Sequence, residues 1–309
     1  MIKIRALLPY DFDKLETLHV TSLQKIVCSI QFLIPHNFRF FPSIHLAVEG
    51  KNILGFVILK CVSKPNNCWQ IDEVFVTQEM RNKGVGEELV RYILSVYGGY
   101  GIEHFLAEVD SQNFPALSLF HQCGFRRYAR HCFYEKEIGE AIHELPLLDK
   151  DFILRQQIPN DLNEIEKLEL SSIPSDLRPV LGRSKTSFSQ SKNAKVLIDK
   201  TRNIIIGWAD IQILSSNHCF IELIASPGWT HLYEQFLNTS ICDCTGFQNN
   251  TFKLTVKVVD YNTELTQILS KLGFLPTQIK ELLVRTIWHK VKERKLQAAR
   301  VGVPRAAPI

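Results

Sequence analysis

The sequence predicts an α/β (α+β) protein made of two tandem copies of one domain, each a mixed, mostly antiparallel sheet flanked by helices. Two observations lead to this fold class. Apolar runs of strand length alternate with segments of helical periodicity, an order typical of helices packed on a mixed sheet. In addition, features of the first half recur in the same order in the second half. The chain has 309 residues, which is enough for two domains of about 150 residues each.

The internal repeat is defined by four landmarks. Arg5–Leu18 resembles Arg155–Leu168, Gly55-Phe56 matches Gly207-Trp208, Ile71-Asp72 matches Ile221-Glu222, and Asn113 with Gly124-Phe125 matches Asn262 with Gly273-Phe274. The matches keep a nearly constant spacing of about 150 residues, as a duplication would. We therefore predict one domain at residues 1–140, a second at residues 151–290, and a basic tail at residues 291–309.

The elements of the first copy follow from its apolar pattern. Asp11 is a candidate N-cap for the first helix, and Glu49–Asn52 reads as the turn of a hairpin. A glycine pair, Gly98-Gly99, is expected to end the helix that precedes it. The predicted strands are Ile2–Leu7, Ile44–Val48, Ile53–Leu59, Ile71–Val76, Phe105–Val109 and Arg126–Glu137, and the predicted later helices are Val85–Val96 and Pro115–Gln122.

Composition and charge exclude several classes of protein. Hydrophobic residues make up 45% of the chain and charged residues 22%, which excludes wholesale disorder. From Trp288 to Ile309, six basic residues stand against one acid, so the small surplus of 36 basic over 32 acidic residues belongs to the tail. Nucleic acid is therefore not an expected partner. No apolar run approaches the roughly 18 residues of a membrane span.

The compartment is expected to be the cytoplasm. The first residues are charged and lack the apolar segment of a secretory signal. The eight cysteines form no CxxC pair, which is typical of reduced thiols. Because no cysteine and histidine pairs stand at zinc spacing, we expect no metal.

The most informative stretch is the turn between the strand Ile71–Val76 and the helix that follows it. Asn82, Gly84 and Gly86 allow this turn to direct backbone N–H groups toward one place, and the helix N-terminus adds a partial positive charge. Arg81 can add a bidentate contact to a phosphate. The pattern indicates an anion cradle suited to a pyrophosphate.

Three other interpretations of this turn compete with the cradle when only the local pattern is considered. A Rossmann fingerprint needs a third glycine where Leu89 stands. A P-loop needs a Gly-Lys-Ser/Thr sequence, which is absent. A turn that binds no ligand is also compatible with a single GxG pattern.

Two motifs together favour the cradle. Arg81-x-x-Gly84-x-Gly86 resembles the acetyl-CoA pyrophosphate loop of the GNAT superfamily of acyl-CoA N-acyltransferases. Downstream, Asn113-Phe-Pro-Ala116-Leu-Ser-Leu-Phe120-His-Gln-Cys-Gly124-Phe125 resembles the second motif of that superfamily, Asn-x-x-Ala-x-x-Leu-Tyr-x-x-x-Gly-Phe. The resemblance covers residues 1–138 closely and residues 152–290 weakly.

This resemblance implies a cleft for acetyl-CoA as co-substrate. The strands Ile71–Val76 and Phe105–Val109 would splay apart to admit the pantetheine arm. The expected contacts are Phe75 and Val76 for the pantetheine amides, Arg81, Asn82, Lys83, Gly84, Val85 and Gly86 for the pyrophosphate, and Asn113 and Phe120 across the cleft.

The resemblance also suggests catalytic groups. In polyamine acetyltransferases the base is a carboxylate nine positions before the loop arginine, which here is Asp72, with Glu73 beside it. Asp72 is equally compatible with a surface carboxylate that is solvated or paired with a lysine. Phe120 replaces the usual tyrosine acid. The thiolate would then leave unassisted, Tyr128 or His121 would donate a proton, or the domain would bind acyl-CoA without turnover.

The second copy is expected to have lost the cofactor site. Ser226–His231, at the place of the cradle, contains one glycine and no arginine. We therefore expect an acetyl-CoA-dependent N-acetyltransferase that acts on an unidentified amine through its first copy. The alternative is a non-catalytic acyl-CoA-binding or scaffold protein that meets a protein partner through the second domain or the tail.

Overall fold

The computed structural model describes residues 2–8, 10–11, 43–50, 52–63, 68–139, 148–183, 185–215, 217–242 and 251–288. The helices predicted between Asp11 and Ser43 lie outside the described residues, as does the tail at 291–309. The domain limits at 140 and 151 stay a prediction, because residues 140–147 are outside this range as well. No helix of the described residues is long and apolar enough to cross a membrane.

Strands and helices alternate as expected; most of their bounds extend the predicted ones by a few residues, whereas β1 is shorter than the predicted Ile2–Leu7. The strands are β1 (Lys3–Ala6), β2 (Ser43–Glu49), β3 (Asn52–Ser63), β4 (Cys68–Val76), β5 (His104–Asp110), β6 (Arg126–Ile138), β7 (Phe152–Gln156), β8 (Lys195–Asp199), β9 (Ile204–Ser215), β10 (His218–Ala225), β11 (Phe252–Val259) and β12 (Leu275–Thr286). The helices among the described residues are α1 (Val85–Gly99), α2 (Phe114–Gln122), α3 (Leu162–Ser172), α4 (Arg178–Leu181), α5 (Lys185–Ser189), α6 (Tyr233–Cys242) and α7 (Thr263–Lys271).

The end of α1 differs slightly from the prediction. Gly98 and Gly99 belong to the helix, and Tyr100 is its C-cap. The left-handed backbone that ends a helix is found at Gly101, whose φ is +91°. A side chain at Gly98 would meet Ile287, so this glycine allows the residue after β12 to pack on α1.

The two copies share one twelve-stranded sheet, in the order β1-β2-β3-β4-β5-β12-β6-β11-β10-β9-β8-β7. The final strands are exchanged: β12 of the second copy lies between β5 and β6, and β6 of the first copy pairs with β11 of the second. His131 of β6 pairs with Lys280 of β12 at the centre of this arrangement. The predicted class, two mixed and mostly antiparallel copies flanked by helices, is confirmed, and the exchange joins their edges.

The hydrophobic cores are interlocked by this exchange. The core of the first copy includes Leu89 and Ile93 of α1 and Phe105 of β5, and β12 contributes the fully buried Leu283 to it. The core of the second copy receives Tyr134 and Ile138 from β6 in the same way. Each copy is therefore completed by a strand of the other.

The first landmark of the repeat has the same local geometry in both copies. Arg5 forms a two-pronged ion pair with Asp11, at 2.6 and 2.8 Å, and Arg155 forms the same pair with Asp161, at 2.7 and 2.9 Å. Each aspartate also accepts a hydrogen bond from a backbone N–H three residues earlier, at Leu8 or Ile158. The carboxylate of Asp11 thus ties β1 to the turn that follows it, whereas the helix that Asp11 is predicted to cap lies outside the described residues.

Candidate functional site

The candidate cleft lies where β4 and β5 separate. These parallel strands pair from Cys68 with His104 to Ile71 with Ala107. Beyond that point β4 continues to Val76 and β5 to Asp110, but the two strands no longer pair with each other. A wedge-shaped opening is therefore left between them. The predicted splay of these two strands is therefore present in the structure.

A β-bulge at Asp72 marks the inner end of the opening. On β3, Ile58 and Leu59 pair with Glu73 and Ile71, so Asp72 is an extra residue on β4. Its carboxylate forms an ion pair with Lys60 at 2.5 Å, and its side chain is 40% exposed. Glu73 is exposed as well. This geometry agrees with Asp72 as a lysine-paired surface carboxylate.

Only one of the two strand residues expected to bind pantetheine presents its backbone to the cleft. The N–H of Thr77 donates to Leu54 of β3, and the carbonyl of Phe75 lies against Gly55 of the same strand. Because backbone groups alternate along a strand, the N–H and C=O of Val76 face the opening, where its carbonyl accepts a hydrogen bond from Arg81 Nε. The backbone of Phe75 faces β3 and its ring stacks on Phe56, so its expected contact with pantetheine stays a prediction that the strand pairing does not favour.

The turn after β4 has the backbone that an anion cradle needs. Asn82 and Gly84 both have left-handed backbone, with φ of +60° and +81°. Gly84 is the N-cap of α1, whose first N–H groups have no partner within the helix. Lys83 and Arg81 are exposed beside them, so the charges needed for a pyrophosphate are present.

Gly86 and Val85 set the position of this turn. Val85 is buried in the core of the first copy. A side chain at Gly86 would lie 3.3 Å from Leu119 and 3.6 Å from Val76, so glycine allows α1 to begin close to the end of β4. The cradle therefore opens directly onto the cleft.

Two further predicted cofactor contacts belong to α2 and its N-cap. Asn113 is the N-cap of that helix, where its Oδ1 accepts a hydrogen bond from the N–H of Ala116 at 3.2 Å. Phe120 is buried, and its ring packs edge-on against Phe125. Phe120 can supply an apolar wall but no proton, and its contact with a cofactor stays a prediction.

The second copy retains the splayed strands, and the hydroxyl of its own Tyr233 lies at the opening, beside a cavity of about 180 Å³ that Glu222, Ala225 and Asn262 help to line. β10 and β11 separate after Glu222 pairs with Lys257. The hydroxyl of Tyr233 lies between them and accepts hydrogen bonds from the N–H of Ala225 at 3.3 Å and from Nδ2 of Asn262 at 2.9 Å. Ala225 and Asn262 occupy the places of Val76 and Asn113 in the repeat. The hydroxyl of Tyr233 is thus hydrogen-bonded to the two groups whose counterparts in the first copy lie at the cleft.

The structure also corrects the alignment of the two turns. The N–H of Ser226 donates to Ile206 as that of Thr77 donates to Leu54, so these two residues are equivalent, although α6 begins one residue sooner after Ser226 than α1 does after Thr77. The counterpart of Gly84 is therefore Tyr233, and that of Arg81 is Thr230, instead of the expected match with Ser226–His231. The conclusion that the second copy lacks the cradle is unchanged.

A cavity of about 220 Å³ lies between the two copies. It touches Ala107 and Glu108, at the point where β4 and β5 separate, and it extends to Glu222 and Lys257 of the second copy. It is lined by Val62, Gln70, Leu106, Ala107, Glu108, Tyr128, His131, Glu169, Ile173, Val180, Leu181, Arg183, Glu222, Lys257, Val259, Tyr261 and Leu282.

A charged cluster forms one wall of this cavity. Arg183 donates to Glu169 at 2.5 Å and to Glu222 at 3.2 Å, and its guanidinium stacks over Phe188 and Trp208. Burial alone would raise the pKa of Glu222, but the nearby positive charges, chiefly Arg183, hold it at about 2. The carboxylate is therefore ionised at neutral pH.

A histidine and a carboxylate form the opposite wall. Nδ1 of His131 lies 3.2 Å from Oε1 of Glu108, and both side chains are largely buried. Burial lowers the pKa of His131, against the opposing effect of Glu108. Burial would raise the pKa of Glu108, but its hydrogen bond with His131 and the charges of Lys257 and Lys280 bring it to about 2. At neutral pH the pair is therefore a carboxylate beside a neutral imidazole.

Sequence reasoning did not identify this cluster. Glu108, His131, Arg183 and Glu222 stand far apart in the chain and belong to no motif, so local pattern carries no signal for them. Tyr128 was considered as an acid and does line the cavity, whereas His121 is exposed on α2 and is hydrogen-bonded to the carbonyl of Phe125. Among the described residues, no group of three potential ligands could hold a metal ion.

Comparison with known proteins agrees with the geometry of the first copy. Residues 11–125 match the Acetyltransferase (GNAT) family. No curated protein matches the chain significantly.

Solved structures match nearly the whole chain at low identity. A tandem GNAT protein from the clavulanic acid biosynthesis pathway superposes with a TM-score of 0.60 and 10% identity, over 93% of this chain and 98% of that one. A GCN5-related N-acetyltransferase from Sphaerobacter thermophilus gives a TM-score of 0.57 and 12% identity, over 92% and 95%. A glucosamine N-acetyltransferase region of a fungal multi-domain β-N-acetylglucosaminidase gives 0.61 and 12%, over 92% and 38%. Residues 11–125 thus match the GNAT acetyltransferase family, and the chain as a whole has the fold of tandem GNAT proteins.

Proposed function

We propose that this protein is an acyl-CoA-dependent N-acyltransferase that transfers an acetyl group from acetyl-CoA to an amine, with its active site in the first copy. One observation carries the proposal. The splayed cleft of the first copy opens beside an anion cradle, whereas in the second copy the hydroxyl of Tyr233 already binds the N–H of Ala225, which stands at the place of Val76. The family match supports acyl-CoA chemistry in general. The choice of acetyl-CoA and of an amine is ours, as is a cytoplasmic location, which rests on the absence of CxxC pairs from the sequence.

The contacts follow from the geometry of the cleft. Backbone N–H groups of Gly84, Val85 and Gly86 would bind the pyrophosphate, with Arg81 and Lys83 adding positive charge. The left-handed backbone of Asn82 allows the preceding arginine to lie beside the cradle. Val76 would bind the pantetheine amides through its N–H, since Ala225 makes such a bond to a polar atom in the second copy.

The chemistry needs few protein groups. Binding the thioester and the amine in one cleft supplies much of the rate by proximity. A backbone N–H group at the end of β4 can donate a hydrogen bond to the carbonyl oxygen of the thioester as that oxygen becomes negative. Thiols have a pKa near 8.5, so the thiolate can leave without an acid, which is compatible with Phe120 at the tyrosine position. Asp72 and Glu73 at the bulge are the carboxylates that the family resemblance offers as the base.

Arg81→Ala is expected to raise the dissociation constant for acetyl-CoA at least tenfold. The expected loss corresponds to one charge-assisted hydrogen bond to the pyrophosphate, worth about 1.4 kcal/mol or more. Isothermal titration calorimetry measures it directly. Arg202→Ala is the matched control, because Arg202 is an exposed arginine of the second copy that pairs with Asp199, away from the cradle. Equal affinity of the two variants would contradict the assignment of the cradle.

Phe120 supports a second candidate function, a protein that binds acyl-CoA without transferring the acyl group and acts through a partner. A buried phenylalanine cannot protonate the leaving thiolate. Release of free thiol from acetyl-CoA in the presence of amines distinguishes the two. Binding without thiol release for every amine would favour the binding protein.

A further inference from the structure

We infer that the cavity between the two copies takes a small, positively charged primary amine as acyl acceptor, and that His131, held by Glu108, accepts the proton of this amine. The inference rests on the proposed function and names the acceptor class and the base for that site. It places part of the active site of the first copy on the second copy, which supplies Glu222 and Lys257 to the cavity.

The position of the cavity carries the first step. Ala107 makes the last pair between β5 and β4, and Glu108 is the next residue, where the two strands separate. Both line the cavity. The cavity therefore begins at the inner end of the cleft, on the side of the sheet away from α1, so an amine in it approaches the cleft from the face opposite to the cradle helix.

Size and charge indicate the acceptor class. The volume of about 220 Å³ is below the roughly 300–1,000 Å³ of pockets for drug-sized ligands, which favours a small molecule. Three carboxylates line the cavity against two permanent cations: the carboxylates of Glu108, Glu169 and Glu222, and the cations of Arg183 and Lys257. Lys280 pairs with Glu108 at 3.7 Å from outside the lining and offsets the net charge, so the carboxylate oxygens of the lining, rather than a net negative charge, favour a cationic ligand such as an alkylammonium.

The geometry of the pair assigns the base. Nδ1 of His131 is engaged with Glu108, where the ionised carboxylate fixes it as the N–H that donates. Nε2 is therefore the nitrogen that carries the lone pair, on a ring that lines the cavity. An aspartate or glutamate behind a histidine orients the ring and stabilises the imidazolium once it forms.

The charged groups around His131 come from four strands. Glu108 faces it from β5, Lys257 from β11 and Glu222 from β10. Lys280 is its neighbour in the strand register on β12, and the ammonium of Lys280 lies 3.7 Å from the carboxylate of Glu108. Burial and Lys257 favour the neutral ring, whereas Glu108 and Glu222 favour the imidazolium. The ring is neutral at pH 7 and its conjugate acid is stabilised by two carboxylates, which suits a general base.

The proton and bond changes balance as follows. The ammonium gives one proton to Nε2 of His131, and the free amine forms a C–N bond to the thioester carbonyl carbon. The C–S bond breaks, and the second proton shed by the nitrogen goes to the sulfur, so CoA leaves as a thiol. His131 then releases its proton to water.

The experiment measures acetyl transfer by thiol release with butylamine, cadaverine and spermidine as small amines, and with kanamycin and a lysine peptide as larger ones. His131→Gln is expected to lower kcat for the small amines about 100-fold at pH 7, with the acetyl-CoA dissociation constant unchanged. The deficit is expected to shrink near pH 10, where the amine deprotonates without help. The matched control is His104→Gln, because His104 is a partly buried strand histidine outside the cavity, bonded to Thr286.

The pH profile separates a base from a structural role. The wild-type rate is expected to fall on acidification through a pKa below about 6.5. Glu108→Gln is expected to move this limb to lower pH, since the variant removes a charge that raises the pKa of His131. A purely structural defect would scale the whole profile without moving the limb.

Two other results are distinguishable. If His131→Gln keeps the wild-type rate and profile, or if Asp72→Asn loses the activity in its place, the inference is overturned while the proposed function stands. Preference for kanamycin or the peptide over every small amine would overturn the acceptor class. If the wild type binds acetyl-CoA and acetylates no amine, the proposed function fails and this inference fails with it.

Discussion

Replacing Arg183 by methionine is expected to lower the free energy of unfolding by about 3 kcal/mol. Arg183 joins the carboxylates of Glu169 and Glu222 in the wall of the central cavity, where the side chain of Glu169 is only 7% exposed. Methionine keeps the apolar contact with Phe188 and Trp208 but leaves both carboxylates without their guanidinium partner. Breaking one side of a buried ion pair costs more than the pair itself contributes, because the remaining charge is not solvated.

Urea unfolding of the wild type and the variant measures this effect. Arg91→Met is the matched control, because Arg91 is 59% exposed and its ion pair with Glu87 is worth about 0–1 kcal/mol. Adding Glu169→Gln and Glu222→Gln to Arg183→Met should restore part of the lost stability, since the uncompensated charges are removed. A loss of stability no larger than that of the control would show that the cluster is solvated rather than buried.

Replacing Leu283 by alanine is expected to destabilise the first copy by about 2–5 kcal/mol, although Leu283 belongs to the last strand of the second copy. The side chain is fully buried in the core built by α1, α2 and β5. Truncation leaves a cavity there and removes apolar area from that core. Ile279→Ala on the same strand is the control, because Ile279 is 36% exposed.

Hydrogen exchange tells which copy is affected. Amides of α1 and β5 in the first copy should exchange faster in Leu283→Ala, whereas those of α6 and β9 in the second copy should change less. If the exchange increase were confined to the second copy, β12 would belong to its own half and the strand exchange would be contradicted.

The secondary structure of the first copy could be predicted from its sequence because each element has its own local pattern. The strand Ile71–Val76 and the helix beginning at Val85 were both located by apolar periodicity and a glycine turn, and both are present. The exchange of β6 and β12 could not be predicted. Both strands follow an equivalent helix in their own copy, and local pattern does not determine which of two similar edges a strand will join.

The site was predictable to the extent that it is local. The turn from Arg81 to Gly86 was identified as a cradle because its residues are consecutive, and its backbone agrees. The sequence did not show whether Phe75 or Val76 directs its backbone N–H and C=O into the cleft. The bulge at Asp72 determines which residues of β4 do so. Tyr233, whose hydroxyl lies at the second cleft, was missed because it stands at the start of an ordinary helix and acts through two hydrogen bonds that only the fold creates.

The central claim is that one cleft binds the cofactor, and calorimetric titration of the full chain with acetyl-CoA tests it most directly. The account predicts one site per chain in the wild type and a matching loss of affinity in Arg81→Ala. Two sites per chain would mean that Tyr233 leaves the second cleft open to the cofactor. No binding at all would contradict the assignment of the cleft and cradle as an acetyl-CoA site.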